Sequence, residues 1–162
     1  MSDLLNKMPL VFEPLRQNRF IFRFPSDLGI QEWTVESGSR PQITQQSTEI
    51  QFLNTSTYVL GRYTWNELNI TFRDPIGPSA SQAIMEWIRL CSESVTGRQG
   101  YAAGYKRDIE LELLDPTGAV VQKWILVNCW PTNANFGDLN YSQDGLATIA
   151  VTLRPDYCIL CY

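Results

Sequence analysis

No histidine occurs in the chain, so the commonest general base and the commonest zinc ligand are both missing. This absence excludes Ser-His-Asp and Cys-His mechanisms. The pair Cys158 and Cys161 has a spacing found in zinc and redox sites, yet zinc needs four ligands and no second such pair is present. A redox pair normally lies where a strand leads into a helix, whereas this pair lies at the end of the sequence. We therefore interpret the cysteines as structural thiols and predict no metal and no cofactor.

An acidic strand face is the second candidate for chemistry. Asp108, Glu110 and Glu112 alternate with apolar residues, which is the pattern of a strand with one buried face. Paired carboxylates serve as acid and base in glycoside hydrolysis, but these all point the same way along one strand, and no pocket is indicated. The glycine-bearing segment 97–104 lacks a phosphate-binding motif. With no catalytic constellation left, the sequence predicts that the protein is not an enzyme.

Length and composition predict one folded domain spanning residues 1–162. Apolar residues make up 44% of the chain and aromatic residues 12%, which is enough to build a core and excludes a disordered chain. The net charge of −4 disfavours tight binding to nucleic-acid phosphates. No apolar run reaches the roughly 20 residues of a membrane span, and residues 1–10 do not form a signal peptide. We therefore expect no membrane partner, and free thiols in a reducing cytoplasm.

Short alternating segments predict about seven antiparallel strands. They lie at residues 19–24, 31–37, 65–73, 108–114, 120–129, 139–141 and 146–153. Residues 1–17 are predicted to form an irregular N-terminal arm, and residues 155–162 an apolar C-terminal tail.

One convincing helix is predicted at residues 79–94. Ser79 is a candidate N-cap, and Ile84, Trp87 and Ile88 belong to an apolar stripe at helical spacing. Strands and helix together predict a mainly β (α+β) fold, an antiparallel β-sandwich or barrel with one packed helix.

Residues 43–62 are predicted to form a long projecting hairpin. Two extended runs, around residues 50–53 and 57–60, flank Asn54. The segment carries several large apolar side chains, and its only charged residues are Glu49 and Arg62. Because solvated loops normally carry more charge, we expect another surface to cover this hairpin.

The order of these segments resembles that of tail tube proteins from phages with long contractile tails. Matching pieces lie at residues 14–20, 37–41, 52–54, 61–65, 68–72 and 83–87. The most specific piece is Trp130-Pro131-Thr132-Asn133, followed by residues 137–141, residues 149–153 and Asp156-Tyr157. The similarity extends over nearly the whole chain.

The resemblance implies a structural protein that forms stacked hexameric rings. These rings would make the hollow inner tube of a contractile tail, through which viral DNA passes during ejection without specific binding. The implied partners are the tail sheath protein, the baseplate tube initiator, the tape measure protein and the tail terminator. The implied location is the virion tail, after assembly in the host cytoplasm. A closed ring seals sheet edges that are hazards in a monomer, and complementary ring faces stack head to tail.

The resemblance also indicates surfaces. The candidates for subunit and ring-stacking contacts are Phe52, Leu53, Asn54, Tyr58, Leu60, Tyr101 and Tyr162. The family's lumen is generally acidic, which lets DNA slide past without sticking. The lumen-facing acidic candidates are therefore Glu110, Glu112, Asp138 and Asp144. The tail from Cys158 to Tyr162 is longer and more apolar than the resemblance leads us to expect, and we predict that it packs into a subunit interface.

Three alternatives stay open. The chain is a baseplate tube initiator, or the inner tube of a phage-like contractile injection system of the type VI or tailocin kind, or a monomeric β-barrel that binds a small ligand. A neighbouring capsid gene separates the injection system from a phage. A ligand binder stays monomeric on a sizing column, whereas a tube protein forms rings or polymers.

Overall fold

The computed structural model describes residue 7 and residues 11–162. The strands formed by these residues are β1 (Phe20–Arg23), β2 (Val35–Gly38), β3 (Ile43–Phe52), β4 (Thr55–Trp65), β5 (Leu68–Arg73), β6 (Arg107–Leu114), β7 (Val120–Asn135), β8 (Thr148–Arg154) and β9 (Tyr157–Leu160). The helices are α1 (Ala80–Cys91) and the single turn α2 (Ala102–Tyr105), and two 3₁₀ turns lie at Ser26–Leu28 and Glu32–Thr34. The mainly β prediction is confirmed.

Seven strands form one antiparallel sheet in the order β1-β6-β7-β8-β5-β2, with β9 also paired to β7. Strand β7 is long enough to take part in two half-sheets. Its residues 120–129 pair with β6 and residues 124–127 with β9, whereas residues 130–135 pair with β8. We call β1, β6, β9 and the first part of β7 the first half-sheet. The second half-sheet is β2, β5, β8 and the last part of β7.

The change from one half-sheet to the other occurs at Asn128, whose backbone φ of 53° lies in the left-handed region. Asparagine tolerates this conformation better than most residues. The backbone N–H of Asn128 donates to Asp108 Oδ1 at 3.0 Å, and its side-chain amide donates to Asp156 Oδ2 at 3.0 Å. Asp156 lies in the connection between β8 and β9. These bonds therefore hold the bend of β7 against that connection.

A single core lies between the half-sheets and α1. Phe22 and Leu126 of the first half-sheet, Ile70 of the second, and Ile84 and Trp87 of α1 are all buried in it. The Ser79 hydroxyl accepts a hydrogen bond from the backbone N–H of Gln82 at 3.3 Å, which confirms the predicted N-cap. The helix ends at Cys91 rather than near residue 94.

Several of the strand predictions are wrong. We predicted that β7 ends before Trp130, but it continues through Pro131 to Asn135. The proline is tolerated because the pairing with β8 is irregular between Pro131 and Asn133. Residues 139–141 lie in a loop rather than a strand, and the tail after Pro155 contains β9. Of the predicted arm, residues 1–6 and 8–10 lie outside the described residues, and residues 11–17 form no helix or strand.

The hairpin is a separate two-stranded sheet made of β3 and β4. Leu53 and Asn54 form its turn, and Phe52 pairs with Thr55 beside it. Both strands extend beyond the predicted runs, so that the hairpin reaches from Ile43 to Trp65. Every residue of β3 is exposed, which shows that the hairpin projects from the body rather than covering the core.

Candidate assembly surfaces

The hairpin presents apolar side chains on both of its faces. Directly paired residues of an antiparallel ladder lie on the same face. The register of β3 against β4 therefore places Ile50, Phe52 and Val59 on one face, and Tyr58 and Leu60 on the other. An ordinary amphipathic hairpin would turn one apolar face toward its own core, whereas this one exposes both.

Exposure of these side chains is high. Phe52 is 72% exposed, Leu53 at the turn 87%, Tyr58 66% and Leu60 67%, and Asn54 is exposed beside them. The charged residues of the hairpin are Glu49 and Arg62 alone, so little charge keeps this surface soluble. Contiguous exposed apolar surface of this kind marks an interaction site. The hairpin is therefore a candidate contact surface of the described chain.

The two contact candidates outside the hairpin lie on separate elements. Tyr101 precedes α2 and is 91% exposed, and Tyr162 follows β9 and is 63% exposed. The seven predicted contact residues are thus all exposed, but they occupy three different regions of the subunit. Their roles in contacts stay predictions.

Sequence reasoning missed a further exposed apolar region, the loop at residues 136–147. Leu139 is 91% exposed, and Tyr141 and Leu146 are also exposed. The sequence predicts strands at residues 139–141 and from residue 146 onward, which would place these side chains in a sheet. Gly137 begins this loop with a backbone φ of 85°, a conformation that suits glycine.

The four acidic candidates have different surroundings. Glu112 is only 7% exposed, and its Oε2 lies 2.9 Å from Arg23 Nε. Glu110 Oε1 lies 3.5 Å from Lys123 Nζ. Both carboxylates lie on the face of β6 opposite the core. Asp138 and Asp144 lie exposed in the 136–147 loop. The structure therefore places these carboxylates in two groups, one compensated by cations and one open to solvent.

Two of the four cysteines, Cys129 and Cys158, are buried. Cys158 is buried on β9, and burial raises its pKa to about 11. Burial raises the pKa of Cys129 further still. Cys161 is exposed just past the strand, so the two cysteines of the C-x-x-C pair differ in accessibility. No three side chains capable of binding a metal cluster within the described ranges.

A groove of about 990 Å³ lies at the surface between the two end strands of the main sheet. Phe20, Ile21 and Phe22 of β1 line one wall, and Val35 and Gly38 of β2 line the other. The sheet order leaves the outer edges of β1 and β2 without partner strands within the described chain. Among the residues that the structure describes, no helix is long and apolar enough to cross a membrane.

Comparison with known proteins identifies the family of the chain. Residues 16–158 match the family model described as T4-like virus tail tube protein gp19. The chain belongs to this family. The matched range includes the hairpin and α1, and it ends inside β9. The chain is thus a structural component of an inner tail tube, which is the role predicted from the sequence. No curated protein matches the chain.

Solved structures share the fold of this tail tube protein. A chain of the anti-feeding prophage cap, the AFP tube terminating cap, superposes with a TM-score of 0.74 at 19% identity, covering 94% of each chain. A chain of the PVC sheath-tube complex, an extracellular contractile injection system in the extended state, gives 0.72 at 19% identity and covers 91% of this chain and 90% of its own length. Hcp1 from Flavobacterium johnsoniae gives 0.55 at 8% identity, with coverage of 88% and 94%.

Proposed function

We propose that copies of this tail tube protein form hexameric rings, and that the rings stack into the hollow inner tube through which viral DNA passes. The β3–β4 hairpin carries this proposal. Its two apolar faces are uncovered in the single subunit, and its sequence holds one acidic and one basic residue. In a tube, neighbouring copies would cover these faces. Head-to-tail contacts between complementary surfaces can repeat without limit, as stacking of rings requires.

The remaining partners follow from the position of an inner tube. A tail sheath protein surrounds it, a baseplate tube initiator starts it, and a tail terminator ends it. A tape measure protein occupies the lumen before DNA does. The protein then resides in the virion tail, after assembly in the host cytoplasm, and catalyses no reaction.

The lumen is proposed to be acidic, with contributions from Glu110, Glu112, Asp138 and Asp144. Since Arg23 and Lys123 compensate the two glutamates, the two aspartates carry the charge that DNA phosphates meet. A negative wall repels phosphates and keeps the genome from sticking. A map of the assembled ring with a basic lumen overturns this charge assignment.

Lysine substitutions on the two faces of the hairpin test the stacking role. Tyr58→Lys and Phe52→Lys change exposed positions, so we expect the free energy of unfolding of the free subunit to change by less than about 0.5 kcal/mol. Tube formation should fail in both variants, because each places an unpaired charge in an apolar contact. Electron microscopy measures tube length, and urea unfolding measures stability.

Ile76→Lys is the matched control, because Ile76 is an exposed apolar residue that lies outside the hairpin, in the turn after β5. This variant should form tubes of normal length. Tubes of normal length from both hairpin variants contradict the proposed role of the hairpin.

A contractile injection particle that carries no genome is the second candidate, since chains of the AFP cap and of the PVC sheath-tube complex have the same fold. Particles purified from the native source separate the two roles. Double-stranded DNA in a capsid attached to the tube supports the phage tail, and its absence supports the injection particle.

A further inference from the structure

Two exposed apolar regions lie at opposite ends of the second half-sheet. Strand β5 pairs with β8 along its whole length, from Leu68 opposite Leu153 to Arg73 opposite Thr148. The β3–β4 hairpin is connected to the Leu68 end of this ladder, whereas the 136–147 loop leads into β8 at the Thr148 end. Because β5 is six residues long, the two ends are about 17 Å apart along the strands.

Neither region is covered within its own subunit. Leu60 on the hairpin is 67% exposed, and Leu139 and Leu146 on the loop are 91% and 79% exposed. A contact between the two regions therefore needs two copies of the chain. Any two copies joined in this way still have one uncovered hairpin and one uncovered loop, so the contact repeats head to tail without limit.

The charges of the two regions are complementary. The 136–147 loop contains Asp138 and Asp144 and no lysine or arginine. The only basic residue of the hairpin is Arg62, which lies exposed on β4. None of these three groups forms an ion pair with another residue that the structure describes. Opposite charges that are unpaired in the free subunit favour contact between the two regions and fix its orientation.

Glu49 determines which part of the hairpin can meet the loop. It pairs with Tyr58 in the hairpin ladder, closer to the tip than Arg62. An acidic loop placed against Glu49 would bring like charges together, which is unfavourable at an interface. The favourable position is therefore the base half of the hairpin, where Leu60 and Arg62 are exposed. The tip beyond Glu49 stays free for another neighbour.

Hydrogen bonds within the loop order the segment that carries its apolar side chains. The Asn140 side chain accepts from the backbone N–H of Ser142 at 3.0 Å and from the Ser142 hydroxyl at 2.8 Å. Leu139 and Tyr141 flank Asn140, and both are exposed. A surface that is ordered before contact loses less conformational entropy when it binds.

We propose that the 136–147 loop of one copy docks against the base half of the β3–β4 hairpin of a copy in the adjacent ring, with its aspartates facing Arg62. Leu139 and Leu146 then pack beside Leu60. This proposal rests on the proposed stacked tube and names the surface that receives the hairpin. Two aspartates face one arginine, so one negative charge per contact stays uncompensated and contributes to the proposed acidic lumen.

Charge reversal on each side of the contact tests the docking. Arg62→Glu places carboxylates on both sides, so we expect the protein concentration needed for tubes to rise by about tenfold or more. Adding Asp138→Arg or Asp144→Arg to this variant restores an opposite pair, and at least one of the two double variants should recover most of the loss. Sedimentation measures the assembled fraction, and electron microscopy shows whether it consists of tubes.

The matched control is Arg62→Glu/Glu13→Arg. Glu13 is exposed and lies outside both regions, so this double variant restores the net charge without restoring the pair. It should stay as defective as Arg62→Glu. All of the changed positions are exposed, so urea unfolding of the free subunits should differ little among the variants. Recovery in neither loop variant, or equal recovery in the control, overturns the docking.

Crosslinking provides a second test that leaves the charges unchanged. Two chains are prepared, one with Leu60→Cys and one with Leu146→Cys, both with Cys161→Ser to remove the exposed native thiol. The two chains are mixed, assembled and treated with a short bismaleimide. We expect a two-chain band on a denaturing gel that is much stronger for the mixture than for either chain alone. The control mixture replaces Leu146→Cys with Val95→Cys, an equally accessible thiol outside the loop, and should give only the background band.

Two kinds of failure are distinguishable. Tubes of the mixed chains whose band is no stronger than the background overturn the docking and leave the proposed function standing. Failure of the unmodified chain to form tubes overturns the proposed function itself.

Discussion

At the scale of single residues, the buried carboxylate of Glu112 needs a cationic partner for the fold to be stable. It lies on the face of β6 away from the core, yet is almost fully covered. Arg23, on the neighbouring strand, lies 2.9 Å from it and also reaches Glu32 at 3.5 Å. A buried charge without a partner is costly, so Arg23 is needed for the stability of the first half-sheet.

Removing the cation tests this requirement. We expect Arg23→Met to lower the free energy of unfolding of the free subunit by about 1–2 kcal/mol, because it leaves a covered carboxylate unpaired while the arginine itself is partly solvated. The double variant Arg23→Met/Glu112→Gln should recover part of the loss. Urea unfolding measures both. A single variant as stable as the unmodified chain contradicts the assigned ion pair.

The sequence predicted single residues correctly where a local pattern is typical of only one structural role. Ser79 precedes an apolar stripe at helical spacing, and it is the N-cap. Alternation placed Glu110 and Glu112 on the same side of β6, but it carried no information about Arg23 or Lys123. Those partners come from strands β1 and β7, and cross-strand pairing depends on a topology that the local sequence does not specify.

At the scale of elements, the contact between Asn128 and Asp156 stabilises the bend through which β7 takes part in both half-sheets. Asp156 accepts from Asn128 Nδ2 at 3.0 Å and from Lys106 Nζ at 3.1 Å. Partial desolvation alone would raise the pKa of Asp156, but the hydrogen bonds from Asn128 and Lys106 and the charge of Lys106 outweigh it and lower the pKa. The ionised carboxylate therefore stabilises the folded corner.

The pH dependence of Asp156→Asn follows from this direction. Because folding lowers the pKa, the stabilisation is present above the unfolded value of about 4 and is lost as pH falls through the folded value. We expect the variant to be less stable than the unmodified chain by up to about 1 kcal/mol at pH 7, since the ion pair is partly exposed. Thermal unfolding at pH 7 and pH 3 measures the difference, which should shrink at pH 3. A constant difference contradicts the assignment.

The elements differ in how far sequence could predict them. The hairpin was predicted because apolar residues without charge are unusual in a loop. Its first strand was predicted to start too late, since residues 43–49 are mostly Thr, Gln and Ser without apolar alternation. Strand β9 was missed because Cys158, Ile159 and Leu160 are consecutive apolar residues with no period. The end of β7 was wrong because Pro131, normally a strand terminator, lies at a bulge.

At the scale of the whole molecule, the subunit exposes what folded monomers usually bury or protect. The β3–β4 hairpin has two uncovered apolar faces, the first half-sheet has two free edges, and the 136–147 loop exposes Leu139 and Tyr141. These regions lie on different parts of the chain, so covering them all needs more than one neighbour. A stacked ring supplies neighbours both beside and above each subunit.

Direct observation of the unmodified protein tests this account most directly. Purified chain at increasing concentration is examined by negative-stain electron microscopy and by sedimentation velocity. The account predicts hexameric rings and hollow rods whose amount rises with concentration, as expected for mass-action assembly. A protein that sediments as a compact monomer at every concentration, and that is absent from purified particles, contradicts it.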